Sequence, residues 1–387
     1  MSTIGPFELC ATHRGDCREV LATLPDASVH CCVTSPPYWG LRDYSIGDNG
    51  IGMEDSIETH LANIVAVFEE VRRVLRPDGT LWLNYGDRYN SSMSRGSFGD
   101  QAKDDRGYEE HGKVQPQLKM HAKNLLGLPW RVAFALQSVG WILRSDIIWS
   151  KPNPMPDSVR DRPTCAHEYL FLFAKSGRYF YDQEAVREES DTVWNPAKKI
   201  GKTQTGKLNR DIDKSMMRTR GYDTRHDDVE KSGRNKRTVW TIATQPTPEA
   251  HFATFPEKLV EPCILAGTSE RGCCSVCGAP VVREVDVNHD AQGRTTNGPR
   301  SITNRKQSSG RDCRKIKHTT TTGWHPSCDC DAGIVPCIVL DPFMGSGTVG
   351  RVAERLGRSW LGCEMNPEYI KIAKQRTRQT SLLGRCV

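Results

Sequence analysis

A chain of 387 residues with 37% hydrophobic residues, 26% charged residues and a net charge of +6 is long enough for one large α/β domain with accessory regions, and its composition excludes disordered and membrane-embedded classes. No apolar run reaches the roughly 20 residues of a membrane helix, and the N-terminus lacks the basic-then-apolar pattern of a secretory signal, so the expected location is cytoplasmic. Fifteen cysteines then read as reduced thiols, some of them holding a metal, rather than as a disulfide framework.

In chain order, residues 9–28 suggest a strand, a loop carrying Asp16, a short helix and a turn. Residues 29–33 form an apolar strand that runs into Thr34-Ser35-Pro36-Pro37-Tyr38-Trp39-Gly40. The two prolines fix φ and remove two donors, leaving carbonyls free to accept hydrogen bonds from a ligand. Tyr38 offers a stacking face, while Ser35 Oγ and the Pro36 carbonyl offer acceptors for an amino group on something flat. Taken alone, the loop is equally well a proline turn at a strand end.

Apolar residues at 57, 61, 64, 68, 71 and 75 predict a helix with Ser56 as N-cap. Pro77-Asp78-Gly79 is expected to separate it from a buried strand over residues 81–85. Helix, turn and strand in that order indicate a parallel βαβ sheet. Residues 88–121 read as a polar loop, 130–139 as a helix, and 142–149 and 169–174 as strands bracketing the proline-rich loop 150–156. Between 186 and 240 the apolar pattern stops, and 14 Lys/Arg against 9 Asp/Glu, with Trp194, Tyr222 and Trp240 interspersed, suit either a nucleic-acid contact or a charged linker.

Pro256 is placed to open a helix that Gly267 ends, and a second basic, Ser/Thr-rich segment follows over 281–325. Residues 334–340 then read as one apolar strand, followed by the turn Asp341-Pro342-Phe343-Met344-Gly345-Ser346-Gly347-Thr348 and a helix with apolar positions 349, 352, 353 and 356. A further strand delivers Glu364, 23 positions after Asp341. A glycine turn between strand and helix with an acid ending the next strand suits a nucleoside-containing cofactor at the mouth of a parallel sheet. The third glycine of a dinucleotide fingerprint and the Gly-Lys-Ser/Thr of a phosphate loop are both missing, which favours S-adenosylmethionine.

Thr34-Ser35-Pro36-Pro37-Tyr38 together with residues 341–348 resembles the amino-methylating DNA methyltransferases, and a catalytic motif near the N-terminus with the cofactor motif near the C-terminus resembles their circularly permuted beta group. The resemblance implies a Rossmann-like S-adenosylmethionine-dependent fold acting on duplex DNA. It implies that Phe343 and the backbone of Gly345, Ser346 and Gly347 hold the cofactor beside Asp341 and Thr348, Glu364 the ribose and Asp16 the adenine amino group, with Phe252 and Phe255 as walls. Ser35, Pro36, Pro37 and Tyr38 would receive a flipped base. Serine before Pro-Pro-Tyr is similar to the cytosine-N4 enzymes, whereas aspartate there is typical of adenine-N6 enzymes; adenine-N6 methylation or a catalytically silent DNA-binding relative are the alternatives. A cognate restriction nuclease is a further implied partner, and the oligomeric state is not legible. Carbon-5 cytosine methylation would need a cysteine nucleophile, for which Pro262-Cys263 and Pro336-Cys337 are weak candidates.

Cys274, Cys277, Cys328 and Cys330 supply four thiolates for a closed structural zinc site, with Cys273, Cys313, His318 and His325 as substitutes. The expected organisation is therefore a catalytic half over 1–185, a target-recognition region over 186–245, a return to the catalytic domain over 246–272, a cysteine-rich zinc knuckle over 273–333 and a cofactor-binding half over 334–387.

Overall fold

The computed structural model describes residues 2–40, 50–90, 120–188, 234–245, 255–290 and 316–383; Trp194, Tyr222, Phe252, Cys313 and most of the loop expected over 88–121 lie outside them. The chain forms two compact units, one of Met1–Val186, Arg237–Arg283 and Trp324–Val387, the other of Arg187–Lys236 and Glu284–Gly323.

Short strands β1 (Thr3–Ile4) and β2 (Phe7–Glu8) pair with each other ahead of β3 (Ala11–Arg14). Asp16 caps α1 (Cys17–Ala22) by accepting the Arg18 amide. Strand β4 (Val29–Thr34) is buried at all six positions, as a strand covered on both faces must be. Helix α2 (Ile57–Val74) starts at Ser56, whose Oγ accepts the Thr59 amide at 3.0 Å. Its buried stripe includes His60, while Leu61 is only half-buried.

Strand β5 (Leu75–Tyr85) begins directly at the end of α2, so Pro77-Asp78-Gly79 lies within the strand instead of preceding it. Its pairing with β4 jumps from Val29–Leu75 to Cys31–Thr80. The proline thus sits in a bulge, where it has no ladder donor to lose. Helix α3 (Leu128–Ser138) and strands β6 (Ile142–Ser150), β7 (His167–Ala174) and β8 (Val239–Thr241) follow. Trp240, grouped by composition with the exposed basic stretch, is 6% exposed and packs beside Trp82 in the core. Its strand pairs with β6 and closes the sheet edge.

Helix α4 (Glu257–Gly267) precedes β9 (Cys273–Cys274), β10 (Val281–Asp290) and β11 (Ile316–Pro326), of which β10 and β11 pair with each other. The single strand expected over 334–340 is broken at Pro336 into β12 (Ile334–Val335), which pairs with β9, and β13 (Ile338–Asp341), which joins the main sheet. Helix α5 (Thr348–Arg355), strand β14 (Ser359–Glu364) and helix α6 (Pro367–Leu383) complete the chain.

The main sheet has the order β3-β14-β13-β4-β5-β7-β6-β8, and only β7 runs antiparallel to its neighbours. The C-terminal strands β13 and β14 therefore lie between the N-terminal strands β3 and β4, the circularly permuted, Rossmann-like arrangement expected above. Alternation along β4 and β5 serves two cores: Cys32, Leu81 and Leu83 meet residues of α1, α2 and α3, whereas Cys31, Val33 and Trp82 meet residues of α4 and α5. In the second unit, Glu188 and Arg234 share a backbone bridge and a 3.3 Å ion pair, and Arg187 donates to Thr319 Oγ1 at 3.0 Å.

Candidate active site

Parallel neighbours end at the same edge of a sheet, so β4 and β13 carry the Ser35 loop and the Asp341 turn to one place. Thr34 Oγ1 donates to Asp341 Oδ1 at 2.6 Å, a buried bond between residues 307 positions apart. Asp341 Oδ1 also accepts the Phe343 amide at 3.0 Å, while Oδ2 is buried and finds no hydrogen-bond partner among the described residues. Burial pushes the Asp341 carboxyl up to about 7 against the Thr34 and Phe343 hydrogen bonds, with the nearby Glu364 adding to the rise.

On the β4 side, Pro36 is buried and Ser35, Pro37 and Tyr38 are half-buried. Ser35 Oγ donates to the Tyr38 hydroxyl at 3.2 Å, so both serine lone pairs stay available as acceptors. The Tyr38 hydroxyl lies 2.9 Å from Glu168 Oε2 and 3.1 Å from Asn84 Oδ1. Its one proton serves the carboxylate better. Glu168 in turn pairs with Lys151, whose ammonium lies 4.4 Å from the centre of the Trp149 ring.

Below the loop, His60 bridges Glu54 Oε2 at 2.8 Å and the Tyr85 hydroxyl at 2.6 Å. Tyr85 accepts the Trp39 amide at 3.3 Å, and its ring lies 4.8 Å from that of Tyr38. Trp39 Nε1 donates to the Glu54 carbonyl at 2.8 Å. Glu168, Lys151, Asn84, His60 and Glu54 were not legible as site residues. The local signals are Asn84, a lone polar residue in an apolar strand, and the family-like run from Trp149 to Pro154, which contains Lys151.

On the cofactor side, Gly345 and Gly347 both have left-handed φ, +52° and +81°, and Gly347 is the N-cap of α5. Glu364 ends β14 and accepts the amides of Gly345 and Asn366, each at 2.8 Å; burial raises its carboxyl above the ordinary value. Ser346 and Thr348 turn their side chains toward buried Arg376 of α6, at 2.7 and 3.3 Å, and the Ser346 carbonyl accepts from the same guanidinium at 2.9 Å, so Arg376 fixes the turn from behind. Asp16 lies at the end of β3 beside β14 and is held by Arg18. Burial works against its charge, yet the Arg18 hydrogen bonds and charge outweigh burial and keep the carboxyl below its ordinary value. Phe255 is half-buried against the α4–α5 core.

The cysteines of the two Pro-Cys pairs are packing residues. Cys263 is fully buried in α4 with its thiol on the Leu259 carbonyl, and Cys337 is 1% exposed ahead of β13. Cys274, Cys277, Cys328 and Cys330 converge, with all four sulfurs within 4.8 Å of one another. Amides of Cys277 and Val276 draw the Cys274 thiol down to about 6, while hydrogen bonds with the Cys277 and Cys328 sulfurs, which hold its proton, push Cys330 up to about 12. A second trio, His30, Cys273 and Cys337, also converges. There the Ile338 amide donates to His30 Nδ1 at 3.1 Å and Nε2 donates to the Gly278 carbonyl at 3.0 Å, leaving the ring no lone pair for a metal.

Comparison with known proteins agrees with this geometry. The N6/N4 methyltransferase family model, described as DNA methylase, matches residues 29–274 and 337–375. The chain is 38% identical over 96% of its length, and 89% of the relative's, to the type II methyltransferase M.Cfr9I of Citrobacter freundii. It is 36% identical over 95% of its length, and 90% of the relative's, to the type II methyltransferase M.SmaI of Serratia marcescens. Among solved structures, the PvuII DNA methyltransferase, described as cytosine-N4-specific, superposes with a TM-score of 0.52 at 16% identity, covering 99% of this chain and 95% of that one, a likeness of fold. The protein belongs to the family of DNA methyltransferases that methylate exocyclic amino groups.

Proposed function

We propose that the protein transfers a methyl group from S-adenosylmethionine to the N4 amino group of cytosine in duplex DNA. The carrying observation is the Thr34–Asp341 hydrogen bond, which fixes an amino-accepting loop beside a cofactor-shaped turn. The turn suits the cofactor by its acid oxygen: Asp341 Oδ2 is buried with no hydrogen-bond partner among the described residues and would accept the methionine ammonium, a counter-charge for a buried carboxylate. Glu364 would take the ribose hydroxyls, the Gly345–Gly347 backbone and Phe343 would line the adenosine and methionine parts, and Asp16 would meet the adenine amino group. When bound, the cofactor supplies an electrophilic sulfonium methyl.

The acceptor needs help because its nitrogen lone pair is delocalised into the ring. Ser35 Oγ and the Pro36 carbonyl would accept hydrogen bonds from the two amino protons, which localises the lone pair on nitrogen as the nitrogen–methyl bond forms and the sulfur–methyl bond breaks, with one amino proton then released past Ser35 to solvent. Tyr38, held by Glu168 and backed by Tyr85, would stack on the flipped base, offsetting an unstacking cost of a few kcal/mol. The neutral Ser35 supports cytosine over adenine. A cognate restriction nuclease is the proposed genetic partner, in keeping with the type II relatives. The test is nucleoside mass spectrometry of host DNA after expression: N4-methylcytosine is expected, lost on Ser35→Ala or Asp341→Ala, and N6-methyladenine without N4-methylcytosine would overturn the assignment.

A further inference from the structure

We propose that Cys274, Cys277, Cys328 and Cys330 bind one structural zinc ion that ties together the chain segments flanking β10 and β11. Four thiolates about 2.3 Å from a tetrahedral zinc stand about 3.8 Å apart, and these four sulfurs already lie within 4.8 Å of one another although 50 residues separate Cys277 from Cys328. None of the four is in a disulfide.

The local backbone turns at each pair, as a knuckle at Cys274–Cys277. The Gly278 amide returns to the Cys274 carbonyl at 2.9 Å. The residue after the second cysteine of each pair is left-handed, Gly278 at φ +69° and Asp331 at φ +46°. Such turns aim two sulfurs of each pair to the same side. With four protein sulfurs no coordination position stays open for water or substrate, so the ion is structural.

Its place in the catalytic unit agrees. Arg76, in the β5 bulge, donates to the Cys277 carbonyl, and His30, second residue of β4, donates to the Gly278 carbonyl at 3.0 Å. Both contacts lie at the start of their strands, whereas Ser35 and Asn84 lie at the other end. The knuckle is therefore docked on the edge of the sheet opposite the Ser35 loop, and β9–β12 pairing clamps the chain on its far side. The adjacent His30–Cys273–Cys337 trio adds no second ion, because both ring nitrogens are spent on backbone groups. This inference is independent of which base is methylated.

The test uses the full chain, purified reduced and without a metal-affinity step. Plasma mass spectrometry should find about one zinc per chain. Titrating the wild-type protein with an organomercurial should release that zinc only as the four cluster thiols react, beyond the equivalents taken by exposed Cys10 and Cys165, a measurement that needs no variant to fold. Cobalt exchange should give intense visible bands with thiolate-to-cobalt charge transfer, and Cys277→Ser/Cys328→Ser should lose both metal and bands. Less than about half an equivalent of zinc, iron in its place, or full zinc retention by the double variant would overturn the proposal.

Discussion

Replacing Asp341 with Asn isolates the cost of holding a carboxylate at the meeting point of the two motifs. Asp341 is 1% exposed, and its carboxyl is raised from 3.8 to about 7, chiefly by burial. An acid whose folded pKa is raised binds protons more tightly folded than unfolded, so it costs no stability below pH 3.8 and penalises the fold increasingly as pH rises to about 7. At about 1.4 kcal/mol per unit, the penalty is about 2 kcal/mol at pH 5 and about 4 kcal/mol at pH 8. Asp341→Asn cannot titrate. Whatever fixed cost its amide incurs at the Oδ2 position, the variant should gain about 2–3 kcal/mol relative to wild type between those two pH values. Urea unfolding of both proteins at pH 5 and pH 8 without cofactor reads this, because titrations not coupled to Asp341 cancel in the difference, and the coupled neighbour Glu364 is common to both proteins. Since the ionised form is the one that would pair with the methionine ammonium, cofactor binding by wild type should tighten between pH 6 and pH 8, and calorimetry should find it lost in the variant. A stability difference that stays flat with pH, or moves against the variant as pH rises, refutes the assignment of a buried, mostly uncompensated carboxyl.

Two other substitutions probe the acceptor side. A Cβ on Gly86 would lie 2.7 Å from Tyr38 Cε2, so Gly86→Ala should cost about 1–3 kcal/mol through overpacking and slow methyl transfer, and Gly86→Ala/Tyr38→Ala should recover part of the stability in a thermal-melt cycle. Glu168→Gln keeps shape but removes the charge shared by Tyr38, Asn84 and Lys151; single-turnover kinetics should show about a tenfold slower step, near 1.4 kcal/mol, with cofactor affinity unchanged. An unaltered rate would show that Glu168 only packs.

Periodicity located most elements because their burial is simple. α2 and α5 each bury one stripe, and β4 and β13 are buried on both faces. It failed where a strand tolerates what usually ends one. Pro77 is accommodated by the β4–β5 register jump, and Pro336 splits one apolar run into strands of two different sheets. Trp240 misled composition in the opposite way: three residues, Val239–Thr241, suffice to pair with β6, too few to show a period within a basic stretch.

The same distinction separates the legible part of the site from the rest. Residues proposed to meet a ligand through backbone geometry or a fixed turn, such as Pro36, Gly345 and Gly347, must occur in short contiguous runs, and such runs are visible in one dimension. Residues that hold those runs in place come from wherever the sheet brings them. Glu168 reaches Tyr38 because β7 pairs with β5 at Tyr85–Tyr169, and His60 reaches Tyr85 from α2 across the sheet face. The permutation makes the point sharply. Strand order in the sheet is set by edge pairing and two-sided burial, not by chain order, so β13 can enter between β4 and β14 from the far end of the chain provided that its register is fixed. The Thr34–Asp341 bond supplies a register mark at the strand ends, where the ladder itself stops. Severing it with Thr34→Val would leave Asp341 Oδ1 with the Phe343 amide and remove the side-chain bond that joins the Ser35 loop to the Asp341 turn beyond the end of the β4–β13 ladder.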